Sequence, residues 1–325
     1  MLSTHHEHSL AGYTHGANIM KIDHMRDQID EITGIIYSQI FKMRSVIPLH
    51  MSLLIPRTSE LKPTVVYFPG GGFTSADYEK FIEMRMALAH AGFVVASVEY
   101  RVVPHTFPAP VIDAKAAIRY LKKHAVHLGI DPKRIGVIGD SAGGWLAQMV
   151  ATTAKEKEYE QGDFLNQTTD VQSVVSLYGI SSLLNISDGF SEKLQKVHES
   201  PASTEALLVN GVAFKEFAGA SIYECDDKAL KASPIEHIKG KLPPFLIMHG
   251  SADSLVSPQQ SAQLYNALKA QDSPAHYILV EGAEHGSAHW FQPKIIDCVV
   301  QWFNQTLAQT PNQPVYRPTD EHCCL

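Results

Sequence analysis

Gly139-Asp140-Ser141-Ala142-Gly143 joins an apolar run, Arg134 to Ile138, to a helix-like segment, Gly144 to Val150. A G-x-S-x-G pentapeptide between a buried strand and a helix is the setting that makes a serine a nucleophile. The turn is tight, and side chains two residues on either side of the serine would clash, so Gly139 and Gly143 are required. Strain of about 1–3 kcal/mol lifts the Ser141 hydroxyl clear of the sheet edge.

A serine hydroxyl needs a base to take its proton and a third group to orient that base. Two later loops supply them in the chain order Ser…Asp…His. His249-Gly250-Ser251-Ala252-Asp253 follows one apolar strand, and Glu281-Gly282-Ala283-Glu284-His285-Gly286 follows the last. His285 is assigned as the base and Asp253 as its orienting carboxylate. Asp272 and Glu284 are weaker rivals for the carboxylate, and His249 reads as structural. Attack on a carbonyl builds an oxyanion, which needs fixed donors. The Ala142 N–H follows the nucleophile at a helix start. Gly70-Gly71-Gly72 follows the strand ending at Phe68, and the Gly71 and Gly72 N–H groups are favoured there. One such donor is typically worth about 2.7–4 kcal/mol in the transition state.

These loops must leave the same edge of a sheet. Eight apolar segments read as strands: 35–40, 50–55, 63–68, 93–98, 134–138, 171–177, 244–248 and 275–280. Helical patterns fall over 78–91 and 110–128, the second ending at Gly129-Ile130-Asp131-Pro132. Fully apolar strands alternating with amphipathic helices predict an α/β fold, a mostly parallel eight-stranded sheet with helices on both faces. Residues 181–242 break the alternation and read as a lid or cap insertion. Residues 1–30, with His5, His6, His8, His15 and His24, read as a solvated arm or cap segment rather than a metal site. The catalytic domain is expected over 31–308. Residues 309–325, with Pro311, Pro314 and Pro318, read as a disordered tail.

The chain has 325 residues, with 27 Lys and Arg against 34 Asp and Glu and a formal charge of −7. That balance favours neither nucleic acid nor an anionic membrane surface. No apolar run reaches the ~20 residues of a membrane span, and the start lacks the pattern of a signal peptide. Cys225, Cys298, Cys323 and Cys324 are too few and too uneven for a disulfide framework, so a reducing cytoplasm is expected. A prenylation box would place cysteine where His322 stands.

Over Val65 to Thr306 the chain resembles the α/β-hydrolase fold, and more narrowly the hormone-sensitive-lipase-type esterases and the bacterial acetyl and feruloyl esterases. The resemblance rests on Pro69 to Phe73, Glu99-Tyr100-Arg101, Phe107 to Pro110 with Asp113, Gly139 to Gly144, Ala232-Ser233-Pro234, and the Asp253 and His285 loops. It implies hydrolysis of small-molecule carboxylic esters through a serine acyl-enzyme, with no metal and no cofactor. One departure stands out: the family begins its glycine run with histidine, and this chain has Pro69. Phe73 and Trp145 are the aromatics assigned to the substrate wall. The expected acyl range is two to six carbons. An amidase of aminopeptidase or formamidase type on the same triad is the alternative, followed by a non-catalytic small-molecule receptor. A homodimer is left open.

Overall fold

Apolar runs spread along the chain pair into one eight-stranded sheet in the structure, a computed structural model that describes residues 10–23 and 27–308. The strands are β1 (Ile29–Lys42), β2 (Ser45–Pro56), β3 (Lys62–Phe68), β4 (Val94–Val98), β5 (Ile130–Asp140), β6 (Ser173–Leu177), β7 (Phe245–Gly250) and β8 (Ala275–Val280). Their order is β1-β2-β4-β3-β5-β6-β7-β8. The β1–β2 hairpin and the β2–β4 pair are antiparallel, and every pair from β4 to β8 is parallel. His5, His6, His8, His24 and the tail with Cys323 and Cys324 lie outside the described residues.

Period-two alternation sends neighbouring side chains of each central strand to opposite faces. Val66, Phe68, Val137, Val174 and Ile247 pack with α2 (Ala109–Lys123), α4 (Ala142–Thr152) and α8 (Gln259–Ala270). Val65, Tyr67, Ile138, Val175 and Leu246 pack with α1 (Ile82–His90) and α9 (Pro293–Thr306). Burying each large aliphatic side chain contributes about 1.5–3 kcal/mol, so both faces must be covered, which explains the continuous apolar runs.

Three boundaries differ from the sequence reading. The pattern over 110–128 splits into α2 and α3 (Ala125–Leu128), with His124 between them. Asp131-Pro132, read as a break, lies inside β5. Lys62 pairs with Ile130 and Thr64 with Ile135, so the extra residues bulge out of the ladder. Pro132 has no N–H to donate, and a bulge is where a central strand tolerates it. The helix expected from Tyr78 starts at Ile82, because Phe81 has a φ of 61°, outside the right-handed helical region.

Residues 181–242 carry α5 (Glu192–His198), α6 (Thr204–Asn210) and α7 (Asp226–Lys231). They are stitched to the body by polar bonds. The Phe107 N–H donates to the Leu208 carbonyl at 2.8 Å, and Gln260 Oε1 accepts the N–H groups of Ser181 and Ser182. The segment also reaches the glycine loop: a Cβ on Gly72 would lie 3.7 Å from Thr204 Cγ2.

Candidate active site

All the loops of interest leave the carboxyl ends of parallel strands, the edge where open α/β sheets bind ligands. β5 delivers Ser141 at φ 54° and ψ −120°, an unfavourable conformation for a residue with a Cβ. Its N–H donates to the Leu177 carbonyl at 2.9 Å, which ties the turn to β6. The glycine requirement is severe here. A Cβ on Gly139 would sit 2.0 Å from the Gly143 carbonyl oxygen, and one on Gly143 would sit 1.9 Å from that of Phe68.

The structure brings Ser141, His285 and Asp253 together. His285 Nε2 lies 2.9 Å from Ser141 Oγ, and His285 Nδ1 lies 2.8 Å from Asp253 Oδ2. A carboxylate only accepts, so Nδ1 carries the proton and Nε2 is left to accept from the serine hydroxyl. The Tyr178 ring stands edge-on to the imidazole, with centroids 4.8 Å apart.

Asp253 receives four donors. Oδ1 accepts the N–H groups of Leu255 and Val256 at 2.9 Å each. Oδ2 is shared by His285 and, at 3.2 Å, by Nε2 of the fully buried His249. His249 Nε2 also faces the Val256 carbonyl, so it is the protonated nitrogen, and Nδ1 accepts from the Ser261 hydroxyl. Burial pushes the Asp253 carboxyl up. The hydrogen bonds from His249 and His285 outweigh burial and hold it below the usual carboxylate range. The rivals sit elsewhere. Asp272 precedes β8, at the opposite sheet edge. The Glu284 carboxylate accepts from Ser254 Oγ.

The glycine loop is equally fixed. The Gly71 carbonyl accepts the N–H groups of Thr74 and Ser75. A Cβ on Gly71 would fall 2.3 Å from the Ser75 carbonyl oxygen. Among the described residues, the N–H groups of Gly71, Gly72 and Ala142 donate to no protein acceptor. A cleft of about 300 Å³ lies over the glycine loop and Ser141, lined also by Lys80, Phe81, Asp140, Tyr178, Leu255, His285, Gly286 and Phe291.

Phe73 and Trp145 do not line that cleft, which corrects the sequence assignment. Both are buried in the α2–α4 side of the core and stack edge to face at 5.2 Å. Trp145 Nε1 donates to the Ala232 carbonyl at 2.7 Å. As the fourth residue of α4, Trp145 is fully buried in the core. The wall is built instead by Phe81, Tyr178, Leu255 and Phe291. Only the place of Tyr178, directly after a strand, gave any signal in the sequence. Lys80 was missed as a neighbour of these groups, and His249, read as structural, is a buried partner of Asp253. His249 had a faint signal, standing four residues before Asp253 at a strand end.

A mostly parallel sheet of this order, with a strained serine after β5 and an imidazole after the last strand, defines the α/β-hydrolase fold. The BD-FAE family model matches residues 51–268, more than half of the chain, and the chain belongs to that family. It is similar to the probable carboxylic ester hydrolase LipM of Mycobacterium tuberculosis, 28% identical over 226 residues, which cover 69% of this chain and 49% of LipM. A probable isoprenylcysteine alpha-carbonyl methylesterase of Arabidopsis thaliana, ICMEL1, is 26% identical over 239 residues, 72% of this chain and 48% of that protein. The chain thus spans about half the length of these curated relatives. A truncated carbohydrate esterase from gut microbiota shares the fold with a TM-score of 0.73 at 23% identity, over 87% of this chain and 98% of that one. The thermophilic esterase Est2 of Thermogutta terrifontis does so with a TM-score of 0.64 at 23% identity, over 88% and 96%. No helix among the described residues is long and apolar enough to cross a membrane.

Proposed function

We propose that this chain is a serine carboxylesterase that hydrolyses short-chain carboxylic esters through an acyl-enzyme. The observation that carries the reading is the unbroken contact Ser141–His285–Asp253 beside three unengaged main-chain N–H groups. His285 Nε2 takes the Ser141 proton as Oγ attacks the ester carbonyl. Asp253 holds the Nδ1 proton and stabilises the imidazolium that forms. The carbonyl oxygen becomes negative and is met by the N–H groups of Gly71, Gly72 and Ala142. His285 then protonates the leaving alcohol. Water, deprotonated by the same nitrogen, attacks the acyl-serine and restores the enzyme.

The cleft supports the short-chain limit. Its volume of about 300 Å³ is at the lower end of ligand sites, which span about 300–1,000 Å³. Phe81, Leu255 and Phe291 give it apolar walls suited to a small acyl or alcohol group. The inserted segment 181–242 acts as a cap over the glycine loop, which Thr204 approaches.

The test is a panel of p-nitrophenyl esters from acetyl to palmitoyl, run on the wild type and on Ser141→Ala. The wild type should peak at two to six carbons and label with a fluorophosphonate. The variant should lose about a millionfold in kcat with its fold intact. A variant that keeps substantial turnover removes Ser141 from the chemistry.

A further inference from the structure

Pro69 stands where the resembling esterases carry histidine, so this glycine loop must be held by other means. Gly70 is gripped at both of its backbone polar groups. Its N–H donates to Asp140 Oδ1 at 2.9 Å, and its carbonyl accepts from Lys80 Nζ at 3.1 Å. The same ammonium donates to Asp140 Oδ2 at 2.9 Å. The Tyr67 hydroxyl donates to Oδ1 at 2.8 Å, and the Tyr100 hydroxyl donates to the Pro69 carbonyl at 2.5 Å. Asp140 directly precedes Ser141, so this network locks the glycine loop to the nucleophile turn.

The carbonyl that Lys80 holds belongs to the same peptide unit as the Gly71 N–H. That peptide is trans, and in a planar trans peptide the C=O and N–H point in opposite directions. Anchoring the oxygen therefore fixes the direction of the Gly71 N–H. The next peptide is pinned in the same way, because Thr74 and Ser75 hold the Gly71 carbonyl. Glycine peptides reorient with little steric resistance. Without the ammonium, the Gly70–Gly71 unit has no other donor on its carbonyl among the described residues. A flipped unit would present a carbonyl oxygen where a donor is needed. A cationic partner on the oxygen also polarises the amide and strengthens its N–H as a donor.

We propose that Lys80 is a positioning residue for the oxyanion hole: its ammonium, braced by Asp140, orients and polarises the Gly70–Gly71 peptide so that the Gly71 N–H meets the developing oxyanion. This role rests on the esterase reading above. Lys80 also lines the cleft, with about a third of its side chain exposed. The competing roles are thus a direct substrate contact, which acts on KM, and a purely structural ion pair, which acts on unfolding alone.

The experiment compares Lys80→Met, Lys80→Gln and Lys80→Arg with the wild type on p-nitrophenyl acetate. Affinity for a trifluoromethyl ketone, which binds as an oxyanion adduct, is measured alongside, together with thermal unfolding. Lys80→Met should lose about 10²-fold in kcat with KM within threefold, close to the loss of one oxyanion donor. Ketone affinity should fall in parallel. Lys80→Gln, a neutral donor, should lose at least tenfold, and it is the deciding variant if the methionine protein does not fold. Lys80→Arg should recover at least tenfold over Lys80→Met or, if that protein does not fold, at least threefold over Lys80→Gln. An unchanged kcat in Lys80→Gln, a loss confined to KM, or unchanged ketone affinity overturns the proposal. Ser141→Ala is run beside them. If it stays active, the serine reading itself falls and takes this role with it. If it is inactive while the Lys80 variants keep full kcat, only the role of Lys80 falls.

Discussion

Replacing Asp253 by asparagine swaps one carboxylate oxygen for an NH₂ group and reverses the logic of two of its four hydrogen bonds. All four groups around the carboxylate are donors: two backbone N–H groups on Oδ1 and two imidazole N–H groups on Oδ2. An amide offers one accepting oxygen and one donating nitrogen. If the oxygen stays with Leu255 and Val256, the NH₂ faces His285 and His249. His249 keeps the Val256 carbonyl as a partner. Among the described residues His285 has no such alternative, and it adopts the other tautomer, with Nδ1 accepting and Nε2 carrying a proton toward Ser141. That imidazole cannot serve as a base. Restoring the working tautomer forfeits the charge-assisted bond to Oδ2 and the stabilisation of the imidazolium. Two interactions of about 1.5–3 kcal/mol each give about 3–6 kcal/mol, or a loss of about 10²–10⁴ in rate. Steady-state hydrolysis of p-nitrophenyl acetate should show this loss in kcat, with KM changed by no more than a few-fold. Asp272→Asn and Glu284→Gln should behave as wild type. An Asp253→Asn enzyme within fivefold of wild type would refute the reasoning.

Gly143→Ala should destabilise the protein by about 1–3 kcal/mol or more. The new methyl meets the Phe68 backbone at 1.9 Å, and backbone cannot swing aside; urea unfolding measures the cost. The Asp253 carboxyl is held below its ordinary range, so the stability it contributes is fully present above the unfolded value of about 3.9. That contribution is lost as the pH falls through the lower folded value. Between pH 6 and pH 3, wild type should therefore lose more stability in urea titrations than Asp253→Asn, and equal losses would contradict this. Trp145→Phe should leave kcat and KM unchanged while lowering stability by about 1–3 kcal/mol, because the buried Ala232 carbonyl loses its donor. A large kinetic effect would return Trp145 to the substrate wall.

The sheet was legible because each of its strands carries its own local signal. Runs that are apolar on both faces, such as Val137-Ile138 and Phe245 to Met248, need two covered faces, and that requirement alone implies a parallel sheet between helix layers. The strained serine was legible for a similar reason, since a local turn dictates its two glycines. Asp253 and His285 were assigned from their position at strand ends, and the structure brings His285 within hydrogen-bonding reach of both Asp253 and Ser141. What was not legible depends on direction and distance in space. Trp145 is one turn into α4, and only the helix orientation shows that it faces the core. Phe81, Leu255 and Phe291 come from three separate segments of the chain with no shared spacing. Lys80 acts on a peptide ten residues upstream, through a carbonyl group that every residue possesses. The bulge at Pro132 likewise follows from pairing with Lys62, a partner that local pattern cannot identify.

The three donors assigned to the oxyanion belong to the main chain, and this sets what mutational scanning can report. No substitution at Gly71, Gly72 or Ala142 except proline deletes an N–H. Every other replacement alters crowding or peptide direction and leaves the proton in place. A saturation library at these codons would therefore measure how well the scaffold tolerates bulk, and would be nearly silent on the value of the donor. Isosteric ester-for-amide replacement of the backbone, made by chemical ligation, is the manipulation that removes one donor and nothing else nearby.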